Sequence, residues 1–377
     1  MPVLSDSEGT SEFMQRALDL AHDPPAPTSP NPTVGAAVVA DGEVIGEGVT
    51  EPPPGRHAEI VALDAAGERA KGGTLYVTLE PCRHHGRTPP CTDAIIAAGI
   101  AEVHYAVADP GPESGGGHAV LEAAGIPVTV GDGEEEARRV NEGFFKHRET
   151  GLPFVFAKFA ASLDGRIAAG SGDSRWVSGP TAREWSHRLR TRIDAIICGS
   201  DTVIIDDPLL TARPDGIDAE RQPLRVVVDS RGRVAPMARV FERADWALTL
   251  VATSEDASPA WRASIEATGT EVLTFAKHGE HVDLEELLRE LAKRDIMTAL
   301  VEGGGVLLGG FFDRSLVDKV HAIIAPVIVG AADAPGAVAG RGAYRMADAL
   351  RLREITVERL GEDILVTGYP VYITRPE

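Results

Sequence analysis

His57-Ala58-Glu59, Pro81-Cys82 and Cys91 constrain this chain more than anything else in it. One imidazole and two thiolates form a nitrogen–sulfur donor set suited to zinc, and three protein ligands leave a fourth position open for water. To reach one ion, the segments that carry them must converge. The pattern predicts His57 at the opening of a helix with Glu59 just inside it, and Cys82 and Cys91 at the start of a second helix. Helix N-termini favour thiolate over thiol, which helps two cysteines bind a cation.

The elements around these residues alternate. Residues 11–22 read as a helix, followed by a proline-rich loop, Asp-Pro-Pro-Ala-Pro-Thr-Ser-Pro-Asn-Pro, that no helix can traverse. Residues 34–40 and 43–48 flank Asp41-Gly42, a hairpin signal. Further on, helices are expected at 58–70, 92–98 and 133–147, and strands at 74–79, 102–108 and 125–130. An acidic stretch fades near Glu149-Thr150-Gly151, where the apolar run 154–161 begins. Beyond it a helix at 180–191 precedes strands at 193–198, 224–229 and 247–252. A helix at 283–293 and strands at 297–301 and 319–325 complete the pattern. Such alternation predicts α/β domains on mostly parallel sheets, and 377 residues leave room for two of them, 1–150 and 151–377.

Charge narrows the partners. Residues 1–150 carry 10 Lys+Arg against 24 Asp+Glu, a net of −14, and the whole chain carries −20. Nucleic-acid affinity rests largely on phosphate neutralisation, so a polyanion is a poor match and a small molecule is expected. No apolar run approaches the roughly 20 residues of a membrane helix, and the acidic N-terminus lacks the form of a secretory signal. Three cysteines, two of them committed to the donor set, cannot build a disulfide framework, which places the chain in a reducing cytoplasm. The third, Cys198, reads as a small buried strand residue.

Glu59 completes the chemistry. A glutamate two residues after the ligating histidine, and not itself a ligand, matches the signature of zinc deaminases acting on bases. Zinc lowers the pKa of its bound water to about 7, and a carboxylate beside it can move the proton to the leaving amine. A closed structural zinc site would need a fourth ligand, which only His84 or His85 could supply. Generic base deaminases carry Cys-x-x-Cys, whereas CRHHGRTPPC separates Cys82 from Cys91 by eight residues.

That spacing resembles the bacterial bifunctional riboflavin-biosynthesis family RibD. The resemblance rests on NPTVGAAVV (31–39), HAEIVAL (57–63) and VTLEPCRHHGRTPPC (77–91), then KFAASLDGRIA (158–168), SRWVSGPTAR (174–183), DDPLLTAR (206–213), RVVVDS (225–230) and LVEGGGVLLGGFF (300–312). It implies a cytidine-deaminase-like α/β/α sandwich followed by a dihydrofolate-reductase-like α/β domain. It further implies deamination of 2,5-diamino-6-ribosylamino-4(3H)-pyrimidinone 5′-phosphate with one zinc per chain, then NADPH-dependent reduction of its ribosyl to a ribityl chain. A homo-oligomer, dimer or tetramer, is expected.

The chain also departs from the family. Thr50 stands where a histidine is common, and Asp109-Pro110-Gly111-Pro112 replaces Asp-Pro-Asn-Pro. Ser114-Gly115-Gly116-Gly117 lacks a basic residue often found there, and Arg83 replaces a small polar one. Asn31 matches a residue that hydrogen-bonds the pyrimidine, although an Asx turn before Pro32 would use it equally well.

No strand in the second half leads into Gly-x-Gly-x-x-Gly. Residues 299–302 run instead into Gly303-Gly304-Gly305, where backbone N–H groups can approach a pyrophosphate unhindered, or simply make a tight turn. By resemblance, the cofactor contacts are Ala160, Trp176, Thr202, Asp206, Gly304, Gly305, Val306, Leu307, Leu308, Gly309 and Gly310. Ser174, Arg190, Leu210, Arg213 and Glu302 are the substrate contacts, with Arg190 and Arg213 as the phosphate cations. Lys158 and Asp206 are candidates to deliver a proton as hydride reaches the ribose, though Lys158 would serve equally as an ion-pair residue. A deaminase with a silent second half, or a non-enzymatic ligand-binding protein, remains an alternative that NADPH consumption would exclude.

Overall fold

Contacts along the chain divide it at Gly151/Leu152 into two units. The computed structural model describes residues 10–85, 89–243 and 245–372. Residues 1–9, and residues 86–88 within the 77–91 motif, lie outside the described residues.

In the first unit, α1 (Glu12–His22) begins at Ser11, whose hydroxyl accepts from the Met14 N–H. It buries Met14, Ala17, Leu18 and Ala21, one stripe at helical spacing. β1 (Gly35–Ala40) and β2 (Glu43–Val49) form the expected hairpin, and Asp41 and Gly42 both adopt positive φ, 52° and 78°, as its two-residue turn requires. The order continues α2 (Ala58–Ala66), β3 (Thr74–Leu79), α3 (Cys91–Ala98), β4 (Glu102–Val107), α4 (Gly117–Ala123), β5 (Val128–Val130), α5 (Glu134–Val140) and α6 (Glu142–Thr150).

The sheet runs β2-β1-β3-β4-β5, antiparallel in the hairpin and at β1/β3, parallel beyond. Its core includes Leu18, Val38, Leu75, Val77, Ile95 and Leu121. β2 lies flush on α2 because glycine faces it: a Cβ on Gly48 would stand 2.1 Å from the Ala58 carbonyl oxygen. That close approach fixes the helix start carrying His57 and Glu59. Two helix bounds differ from expectation. α2 stops at Ala66, where Gly67 takes φ 57°, and the helix expected at 133–147 breaks at Asn141.

The second unit runs β6 (Phe154–Ser162), α7 (Pro180–Thr191), β7 (Ala195–Gly199), α8 (Ser200–Asp206), β8 (Leu224–Val228), β9 (Thr249–Thr253), α9 (Pro259–Glu266) and β10 (Glu271–Thr274). After the short pair β11 (Lys277–His278) and β12 (His281–Val282) come α10 (Leu284–Ala292), β13 (Thr298–Glu302), α11 (Gly305–Asp313), β14 (Lys319–Ala325), β15 (Arg351–Leu360) and β16 (Asp363–Val371). Its sheet has nine strands in the order β10-β9-β8-β7-β13-β6-β14-β16-β15, parallel as far as β14. The parallel strands bury apolar runs such as Ile196–Ile197 and Val226–Val227, as strands covered on both faces do. Among the described residues no helix is long and apolar enough to cross a membrane.

Candidate active sites

His57 stands at the N-cap of α2 and Cys91 opens α3, so two helix starts converge as the sequence predicts. His57 Nδ1 lies 3.2 Å from Cys91 Sγ and 3.6 Å from Cys82 Sγ, and one donor atom from each residue falls within 4.8 Å of the others. Cys82 lies outside the helix, ahead of it in sequence, and the Cys91 N–H donates to its Sγ at 3.4 Å. Bonds from Cys91 and His57 hold the Cys82 thiol well below its ordinary value against the pull of burial. A buried pair of sulfurs and one imidazole nitrogen fit zinc. Among the described residues His84 and His85 do not join the set, which leaves it three protein ligands. Glu59 shares the buried face of α2 with Ala62, Leu63 and Ala66. Burial, and then the Cys82 sulfur, push its carboxyl up to about 7.

A buried carboxylate that the sequence did not mark shapes one wall. Glu80, 6% exposed, accepts N–H bonds from Asp109 at 3.1 Å, Gly116 at 2.9 Å and His118 at 3.0 Å. It therefore pins the 109–118 loop beside Pro81-Cys82. Its one signal was its place before that pair. Asn141 acts likewise, taking the Thr33 N–H at 2.7 Å and donating to the Thr33 carbonyl at 2.8 Å. That use of its side chain accompanies the break between α5 and α6, and it anchors the loop of Asn31. The Asn31 backbone closes a turn on Thr28. Thr50, the departure at the histidine position, is buried and accepts the Val34 N–H at 3.0 Å.

In the second unit one cavity of about 1280 Å³ gathers Lys158, Ala160, Ser174, Trp176, Arg190, Thr202, Asp206, Leu210, Arg213 and Glu302 with the glycine turn. Gly303 and Gly304 take φ of 74° and 73° between β13 and α11, and a Cβ on Gly303 would stand 2.9 Å from Thr202. This bare cradle at a helix start fits a dinucleotide's pyrophosphate. Gly309 differs. It is not among the cavity residues, and a Cβ there would overlap the Ala339 carbonyl, so this glycine serves packing. Leu307 and Leu308 turn their side chains into the core, which leaves their backbone for a cofactor.

The floor of the cavity is a buried charge cluster. Lys158 on β6 is in register with Glu302 on β13 and His321 on β14, and residues paired across parallel strands share a face. Arg190 from α7 forks onto Glu302 at 3.0 and 2.6 Å and donates to the Thr211 carbonyl at 3.0 Å. Burial alone would raise the Glu302 carboxyl, but Arg190 and Lys158 hold it at about 2. Burial pushes the Lys158 amine down, with Glu302 opposing.

Arg190, expected beside Arg213 as a phosphate cation, lines the cavity with its guanidinium engaged by the Glu302 carboxylate. Arg213 is different. Its side chain donates to the Thr211 hydroxyl at 2.9 Å, and burial followed by Arg190 lowers its pKa. A second, fully buried arginine went unnoticed in the sequence. Arg225 donates to the carbonyls of Leu209, Glu242 and Ala247, tying down the segment that carries Leu210 and Arg213. Ser174 donates to Asp206 at 2.7 Å at the end of α8.

Residues 153–366 match the family described as the RibD C-terminal domain, and residues 7–107 match the cytidine and deoxycytidylate deaminase zinc-binding region. The chain is 41% identical over 363 residues to the riboflavin biosynthesis protein RibD of Escherichia coli (strain K12), spanning 93% of this chain and 97% of that protein. It is 42% identical to RibD of Haemophilus influenzae, spanning 98% and 99%. The solved structure of Acinetobacter baumannii RibD, form 1, is similar at a TM-score of 0.86 and 38% identity, covering 96% of this chain and 98% of that one.

Proposed function

The chain belongs to the RibD family of riboflavin-biosynthesis proteins, and we propose that its two units divide the family's two reactions, deamination in residues 1–150 and reduction in residues 151–377. It is a bifunctional enzyme that deaminates the diaminopyrimidine phosphate with zinc and then reduces the ribosyl side chain with NADPH. One observation carries the division: the His/Cys/Cys set lies wholly in the first unit and the glycine-lined cavity wholly in the second.

His57, Cys82 and Cys91 hold the zinc, which when bound supplies hydroxide at neutral pH. Glu59 would carry one proton from the attacking water to the ring nitrogen, then a second, from the hydroxyl so added, to the amine that leaves as ammonia, a role that suits a carboxyl at about 7. Asn31 orients the pyrimidine. In the second unit Thr202 and the backbone from Gly304 to Leu308 seat NADPH, with Ala160 and Trp176 beside it. Bound NADPH supplies the hydride. Lys158 and Asp206, which both line the cavity, are the candidates to supply the matching proton, and burial, which lowers the Lys158 pKa, favours its release. Ser174, Leu210 and Glu302 shape the substrate end of the cavity.

The test uses the full chain with the diaminopyrimidine phosphate and NADPH. Ammonia release should precede and equal NADPH oxidation. After zinc is chelated, the deaminated compound should still be reduced while the starting compound is not deaminated. Reduction that needed zinc would overturn the division.

Arg213 is the cation for the reductase substrate's phosphate. Losing a hydrogen bond to a charged group costs about 1.5–3 kcal/mol, so Arg213→Ala should lower reductase kcat/KM roughly 10- to 150-fold. The loss should fall mostly in KM, because phosphate is held alike in ground and transition states. An unchanged KM, or an equal loss of deamination, would remove Arg213 from this role.

The chain works in the cytoplasm, a compartment that suits three free cysteines, and as a homo-oligomer, dimer or tetramer. β15 supports association, for it ends the strand order of the sheet among the described residues and exposes Ile355 by 55% and Val357 by 65%. Sedimentation velocity should show a dimer or tetramer. A monomer at micromolar concentration would exclude it.

A further inference from the structure

We propose that Arg83 binds the 5′-phosphate of the substrate during deamination, making up from the cysteine loop for the cation that the glycine stretch lacks. The proposal rests on the assignment of deamination to the first unit. Arg83 directly follows Cys82. Its Nε donates to the Gly115 carbonyl and its Nη2 to the Pro112 carbonyl at 3.2 Å, while its own N–H donates to the Ser114 carbonyl at 3.3 Å. A guanidinium has five donors. The two side-chain bonds fix its plane against the loop, and the Nη1 end keeps its donors for a ligand.

Glycine makes room for this placement. Gly116 has φ 91°, and a Cβ there would stand 3.0 Å from Arg83 Nε and 3.5 Å from Cζ. The guanidinium therefore fills the space a side chain at 116 would enter. Arg83 thereby sets a positive charge against the glycine stretch 114–117, which has no basic residue of its own.

Charge points the same way. The first unit carries a net −14 yet must hold a phosphate dianion beside its metal set. Several described arginines of this unit are engaged by carboxylates, Arg16 by Glu47, Arg56 by Glu51 and Asp64, Arg138 by Glu134 and Glu149, whereas Arg69 bonds the Ile45 carbonyl and Arg148 lies over Phe144. Arg83 bonds carbonyls, which anchor it and leave its charge uncancelled. The buried Glu80 is taken up by three backbone N–H groups on the same loop. Glu80 and Arg83 thus clamp residues 109–118 from two sides, and a cation fixed before the ligand arrives binds it with less ordering cost.

The test compares the phosphorylated diaminopyrimidine with its dephosphorylated counterpart, following ammonia release by the full-length, zinc-loaded enzyme. Arg83→Ala should raise KM for the phosphorylated substrate roughly tenfold to hundredfold, with kcat little changed and KM for the dephosphorylated compound unmoved. Arg83→Gln, which keeps a donor to the loop carbonyls, should show the same phosphate-selective loss. A KM rise equal for both substrates, or no rise for either, would overturn the proposal and leave Arg83 a loop clamp. Wild-type enzyme that released no ammonia from either compound would instead refute the deaminase assignment. Reductase activity on the deaminated compound should match wild type throughout.

Discussion

Glu59→Gln is expected to abolish ammonia release while leaving zinc content and NADPH-dependent reduction at wild-type levels. Glutamine keeps the shape of the side chain in its buried place on α2 but can neither accept nor return a proton. General acid–base catalysis contributes roughly 10²–10⁴-fold, and Glu59 serves more than one proton transfer, so the loss should reach at least the upper part of that range. Metal retention follows because Glu59 lies outside the donor set of His57, Cys82 and Cys91. Replacing any of those three should remove the single zinc per chain. The measurements are metal analysis and two separate assays on one preparation. Deamination within tenfold of wild type would show that another group moves the proton.

The sequence carried the metal site almost whole, because its geometry is set locally. A histidine before an apolar helix becomes an N-cap, and Cys91 after Pro89-Pro90 opens the next helix, so spacing along the chain converts directly into proximity. Strand and helix alternation was equally legible where buried strands are short apolar runs. It failed where structure depends on distant partners. β15 is exposed along nearly its whole length, so it shows no buried alternation to read, and only its pairing with β16 makes it a strand. Asn141 interrupts a charged helical stretch because Thr33, far away in sequence, uses its side chain. The second cavity was legible only through motif resemblance, since its polar contacts join residues far apart. Nothing local in the sequence shows that Arg190 is spent on Glu302, or that Gly309 packs against Ala339.

Removing the carboxylate beneath that cavity should damage folding and reduction together. Arg190 and Lys158 are both largely withdrawn from solvent, and Glu302, itself buried, is the acid that forks with one and pairs in register with the other. Breaking a buried pair by deleting one partner costs about 3–5 kcal/mol, since a buried charge is left uncompensated. For a unit of this size each kcal/mol moves Tm by about 2–4 °C, so Glu302→Ala should unfold the second unit roughly 10 °C early. Glu302→Gln, which keeps the volume, tests the chemistry where the alanine variant is too unstable.

The pH dependence has a defined sign. The folded carboxyl lies at about 2 against an ordinary 4.5, so its contribution is complete above about 4.5 and is lost as pH falls through 2. The Tm gap between wild type and Glu302→Gln should therefore stay constant from neutral pH down to about 5, then close on further acidification. Glu302 also opposes the fall in the Lys158 pKa that burial causes. With Glu302 neutralised, Lys158 should lose its proton at lower pH, moving the alkaline limb of the reductase profile toward acid. A profile that keeps its alkaline limb in Glu302→Gln would show that the proton for the ribose does not come from Lys158, leaving Asp206, held by Ser174 across the same cavity, as the donor.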